Sequence, residues 1–242
     1  MNTLTIAIAP ASDTALTVMK AVIDENERER TFPNDEDGPL VLANALSDFF
    51  QLTAALEQSD QTLGEHDITE IAGYGLDLLD RLSAQLRELK IMDQRDNLSL
   101  VFATLAVWFA RRGAKLDNLQ GAADGFAWLT NGINEPPHLV EMCLMMEEVA
   151  EAASERVAAD EDRENPWRPW RVLNLNVGVA ATRALDPELM ARVFDDLAQR
   201  LPDDVGGFFA DGKRQMDEQD VPDAVREVLA RYVEKYPAKP MH

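Results

Sequence analysis

The chain is short of the residue types that carry most covalent and metal chemistry. Its 242 residues include one cysteine, Cys143, and three histidines, His66, His138 and His242. A lone cysteine excludes an internal disulfide framework and fits a reducing compartment, so the cytoplasm is the expected location. Three scattered histidines are a thin supply for metal binding or proton transfer. Positive charge is scarce too: 23 Lys+Arg face 44 Asp+Glu, a formal net charge of −21. That balance argues against a nucleic-acid or anionic-membrane footprint, which needs clustered cations. It suits solubility, adaptation to salt, or a basic partner. Long apolar runs are missing as well. The longest, LVFATLAVWFA at 100–110, is about half the ~20 residues that span a bilayer. The opening MNTLTIAIAPAS lacks the basic region of a signal peptide. Neither a phosphate-cradling glycine loop nor a Gly-x-Ser-x-Gly elbow is present. These shortages lead to the expectation of a non-enzymatic chain without metal or cofactor.

What is there is helical grammar. Residues 1–38 read as a poorly structured leader: Thr3–Ala9 alternates like a strand, 14–23 has a helical pattern, and DENERERTFPNDEDGP reads as a charged linker. From 39 to 242 one helical domain is expected, with a sub-boundary at the acidic stretch 158–168. Pro39 opens a helix to about Ser59. Asp67 as N-cap with Glu70 three residues on opens another to Lys90. Further starts fall at Asp96/Asn97, Asp117, Pro136 (running to Ala159), Pro169, Pro187, Asp203 and Pro222. Short connections make successive helices antiparallel neighbours.

Near the C-terminus LDPELMARVFDDLAQRLP (185–202) matches DVPDAVREVLARYVEKYP (220–237) at an offset of 35. Pro187 pairs with Pro222, Met190 with Val225, Val193 with Val228, Phe194 with Leu229, Leu197 with Tyr232 and Pro202 with Pro237. A period in the mid-thirties marks a helical-hairpin array. The spacing of Phe194 to Pro202 resembles the tetratricopeptide repeat, although Met190, Leu197, Val225 and Tyr232 stand where that family prefers alanine. Ala122 and Phe126 give a partial second match. The resemblance implies a short right-handed α-solenoid, about nine helices after the leader, with a peptide-binding groove.

Several constellations invite a chemical reading beside a structural one. Glu135-Pro-Pro-His138 has the letters of a di-iron Glu-x-x-His motif, but two prolines separate the pair and no second copy exists. Glu147, Glu151 and Glu155 stack at four-residue spacing, the pattern of a solvated helix face. Met142, Cys143, Met145 and Met146 are soft ligands or adaptable core filling. His66 before Asp67 reads as a hydrophobic staple onto Ile71. Gly73 and Gly75 mark a close helix approach.

Two stretches are acid-free, apolar and cationic. One, 97–116, holds Arg111, Arg112 and Lys115 with Trp108 and Phe109; the other, 165–185, holds Arg168, Arg171 and Arg183 with Trp167 and Trp170. In NPWRPWRVLNLN (165–176) Pro169 suits N1, Trp167 and Val172 then make a staple, and Trp170, Leu173, Val177, Ala181 and Ala184 form a core stripe. Asn174 and Asn176 need partners, and Asn174 with Gly178 and Ala181 can line a groove floor. Arg168 and Arg171 remain at a helix N-terminus, where the macrodipole disfavours cations. Either the acidic segment 158–164 or an acidic ligand compensates them. The leading expectation is an adaptor, monomeric or dimeric, that binds a protein or peptide between helices 97–112 and 169–185. Arg168, Arg171, Arg111, Arg112, Asn174 and Trp170 are its candidate contacts. An acidic inhibitor or nucleic-acid mimic meeting a basic partner, and a small-molecule or enzymatic helical domain, are the alternatives.

Overall fold

The computed structural model describes residues 5–33, 38–59 and 62–238, and the architecture is all-α. Eleven helices follow one another among the described residues: α1 Ile8–Glu29, α2 Pro39–Gln58, α3 Glu65–Glu88, α4 Arg95–Ala110, α5 Gln120–Asn131, α6 Pro136–Glu151, α7 Glu155–Ala158, α8 Pro169–Arg183, α9 Pro187–Arg200, α10 Val205–Asp217 and α11 Asp223–Lys235. Helices adjacent in the chain pack on one another, and several that are distant in it do so as well. Helix α1 packs on α4, which closes α1 to α4 into a four-helix ring. A second ring of α4, α5, α8 and α6 shares α4 with the first. Helix α4 is accordingly buried on nearly every side, from Leu98 to Phe109.

The expected poorly structured leader is instead a core helix. Ile8, Ala11, Ala15, Val18, Met19 and Val22 form one buried stripe of α1 at helical spacing. The Ile8 N–H donates to the Glu57 carboxylate at 3.3 Å, and the Trp108 indole donates to the same carboxylate at 2.9 Å. One acid thus ties the start of α1, the end of α2 and the last turn of α4. The first part of the linker is helical as well, and buried Asn26 donates to and accepts from the backbone of Phe32. Of the strand read at residues 3–9, Thr3 and Leu4 lie outside the described residues, and Ile8 already belongs to α1.

Proline starts hold: Pro39, Pro136, Pro169 and Pro187 each open their helix, the last behind an Asp186 cap that accepts from Glu188 and Leu189. Carboxylate starts drift. Gly64, not Asp67, caps α3, so His66 lies inside the first turn, exposed beside Glu70, and is no staple. Asp117 does not cap α5, which starts at Gln120; it accepts from Ser154 and Arg156 across the fold. The helix expected from 136 to 159 breaks after Glu151. Leu116 pairs with the chain there, donating to Ala152 O at 2.7 Å and accepting from Ser154 N at 3.0 Å. Ser154 then caps the separate turn α7.

Among the described residues one helix, α2, is long and apolar enough by length and composition to cross a membrane; its Leu42, Leu46, Phe49 and Phe50 are buried in the core. In the C-terminal part α9 packs on α11 and α11 on α10. The pairs matched at offset 35 (Met190/Val225, Val193/Val228, Phe194/Leu229 and Leu197/Tyr232) are all buried. Phe194, Phe209 and Tyr232 join into one aromatic cluster there.

Candidate functional site

The N-terminus of α8 is built as the sequence suggests, with Arg168 as N-cap and Pro169 at N1. What compensates its two arginines is internal. Arg168 is 5% exposed. Its Nε donates to Asp160 Oδ1 at 2.5 Å and its Nη2 to Asp160 Oδ2 at 3.0 Å and Asp204 Oδ2 at 2.7 Å. Nη1 donates to the carbonyls of Arg163 and Asn165. Hydrogen bonding to Asp160, against the opposing cost of burial, holds this guanidinium's pKa above the ordinary arginine value. Arg171 donates to Asp204 Oδ1 at 2.6 Å and to the Pro166 carbonyl. Asp160 belongs to the acidic segment 158–164; Asp204, the residue before α10, was legible only as part of a helix start. Arg168 is therefore a buried clamp whose donors are engaged within the chain, and not the exposed cation that the expectation of a partner contact assumed.

The rest of the 165–176 stretch divides. Trp167 is no staple: it is 77% exposed, and its backbone N–H donates to Asn165 Oδ1 at 2.9 Å. Trp170, Leu173, Val177, Ala181 and Ala184 are buried as the stripe predicts. Asn174 donates to Trp170 O and accepts from Arg200 Nη1 at 3.1 Å, while Asn176 donates to Val172 O. The expected groove floor is filled: a Cβ placed on Gly178 meets the Phe208 ring at 2.7 Å and Leu197 at 3.2 Å.

At the other island Arg111 makes a two-point pair with Glu148 of α6, and Arg112 stacks over the Trp108 ring at 3.5 Å. Arg183 reaches the carbonyls of Thr130 and Ile133, at the end of α5. Helices α4 and α8 are diagonal in the second ring, with α5 and α6 each packed on both. The groove expected between 97–112 and 169–185 is thus occupied by protein.

The remaining constellations are placed as follows. Glu147 is buried, not solvated, in a two-point pair with Arg192 of α9 at 2.6 and 2.9 Å. Burial pushes the Cys143 thiol up to about 12, and Met142, Cys143, Met145 and Met146 are all core residues. His138 Nδ1 lies 3.8 Å from Glu135 Oε2. No group of three or more His, Cys, Asp or Glu suited to a metal ion occurs among the described residues. His242 lies outside them.

The structure opens instead a cleft of about 420 Å3 that no local pattern announced. Asn97, Leu100 and Thr104, one face of α4 at helical spacing, make its floor. Pro10 and Ala11 of α1 form one wall, and Leu129, Ile133, Met142 and Met145 the other. Asp96, His138 and Glu141 supply polar groups. Asp96 Oδ1 accepts from the Trp128 indole at 2.5 Å, and Trp128 in turn carries the Arg95 guanidinium over its ring at 3.9 Å. Two further clefts carry mixed charge. One, of about 360 Å3, has Arg87 and Arg95 beside Asp80 and Asp124; there burial raises the pKa of Asp80 while its hydrogen bond from Asn118 opposes the shift. The other, of about 470 Å3, has Arg111 and Arg112 beside Glu57. A scan of protein-family models, a search of curated proteins and a search of solved structures each find no match to this chain.

Proposed function

We propose that the protein is a non-enzymatic binding module whose site is the cleft between α1, α4, α5 and α6. The observation that carries the reading is the cleft's make-up: Leu100, Leu129, Ile133, Met142 and Met145 give it a mainly apolar lining, with a small number of polar groups among them. About 300–1,000 Å3 with that lining is the usual form of a small-molecule site. Leu100, half-buried on the floor, is the residue to enlarge. A neutral apolar fluorophore such as N-phenylnaphthylamine is expected to bind saturably to the native protein and not to Leu100→Trp, with far-UV circular dichroism confirming the helical fold of both. Absence of saturable binding, or undiminished binding by Leu100→Trp, overturns the reading.

A second reading, the protein–protein adaptor, is favoured by Trp167, the most exposed large hydrophobic side chain among the described residues. Exposed tryptophans at interfaces are frequent binding hot spots. The buried pairs at offset 35 support an internal repeat of the kind such adaptors use. Trp167→Ala is expected to leave stability within about 0.5 kcal/mol while removing partners recovered by cross-linking in the native cell. An unchanged partner set excludes Trp167 as the anchor.

A further inference from the structure

We propose that the ligand of the α1/α4/α5/α6 cleft is an amphiphilic amine, an alkyl or aryl body with an ammonium head; this rests on the cleft being the binding site. Asp96 and Glu141 both line it, and no lysine or arginine among the described residues does. The two further clefts described above each set arginines beside their acids, and this one does not among the described residues. Glu141 is half-buried on α6 and makes no hydrogen bond or ion pair among the described residues. Asp96 spends one oxygen on the Trp128 indole, a neutral donor, and has no cation within ion-pair distance among the described residues. Asp96 is exposed, so desolvation bears on Glu141: a half-buried carboxylate without a partner is unfavourable, and an ammonium supplies both countercharge and donors. The chain's net charge of −21 draws a cation inward and repels an anionic amphiphile of the same shape.

The apolar half follows from the walls. Leu100, Leu129, Ile133, Met142 and Met145 offer hydrocarbon and thioether surface, and the two methionines can adapt to chains of different shape. A dry cavity of about 150 Å3 already takes up benzene, so about 420 Å3 accommodates a longer chain.

The test is calorimetric titration of the full chain with n-octylamine, n-octanol and octanoate below their aggregation limits, at about pH 8, where an amine is protonated and a carboxylic acid ionised. The native protein is expected to bind the amine about tenfold or more tightly than either other probe, the usual weight of a charge-assisted hydrogen bond. Glu141→Gln is expected to shrink that preference, and Glu141→Lys to turn it toward octanoate. Octanol or octanoate binding as well as the amine, or a preference untouched by Glu141→Lys, overturns the head-group assignment while leaving the cleft as the site. No saturable binding of any probe, or binding undiminished in Leu100→Trp, removes the site and the assignment together.

Discussion

Replacing Arg168 by alanine is expected to lower the unfolding free energy by about 3–5 kcal/mol, read from the denaturant midpoint at constant slope. The magnitude follows from what is left behind. The Arg168 guanidinium is nearly solvent-free and divides its donors between two carboxylates and two backbone carbonyls. Its partners are buried too, with side-chain exposures of 8% for Asp160 and 17% for Asp204. Removing the cation strands Asp160 outright and leaves Asp204 with Arg171 alone. Asp160 holds a left-handed backbone (φ 49°), a conformation that the clamp helps to keep. Arg168→Lys is expected to recover only part of the loss, because a single ammonium cannot reproduce the planar fork. Arg168→Met combined with Asp160→Asn should be milder than Arg168→Ala, since it removes one stranded charge along with the cation. A loss below about 1 kcal/mol in Arg168→Ala would show that the clamp contributes no more than a surface pair.

Gly125→Leu is expected to cost about 3 kcal/mol or more through overpacking. Helices α4 and α5 meet at Gly121 and Gly125, one turn apart. A Cβ at Gly125 sits 2.9 Å from the Ser99 carbonyl oxygen, which is backbone and cannot swing away. One at Gly121 falls 2.0 Å from the Phe102 ring. Any side chain therefore has to part the two helices, and α4 is shared by both rings of the fold. Gly73 is the control: nothing lies within 4 Å of a Cβ there, so Gly73→Ala is expected to gain up to about 1 kcal/mol from helix propensity. Thermal unfolding of the two variants side by side reads both signs. A Gly125→Leu protein as stable as the native one would remove the close approach.

These glycines show where sequence reasoning stops. Gly73 and Gly75 have the same local context, yet only Gly75 is filled, by the Phe49 ring at 2.2 Å. The contact partner comes from another helix and leaves no mark on the spacing. The same holds for α1, whose stripe of Ile8, Ala11, Ala15, Val18 and Val22 was visible but diluted by alanine and threonine. Its burial was decided by α2 and α4. The break between α6 and α7 arises from Leu116, some 35 positions upstream, whose backbone pairs across Ala153. Trp167 had the letters of a staple, yet it faces solvent beside the buried Arg168.

The sequence by itself determined the all-α class, the proline-led helix starts, the buried stripe of α8 and the need of Arg168 and Arg171 for negative charge. Each of these rests on near-neighbour physics: fixed φ at proline, 3.6-residue periodicity and the dipole at a helix end. Only the tertiary structure decided that Asp160 and Asp204 supply that charge, that α5 and α6 occupy the space between α4 and α8, and that α1 joins α4, α5 and α6 in lining the open cleft. A cleft is the space several helices fail to fill. Its walls come from residues as far apart as Pro10 and Met145, and only their packing brings them together.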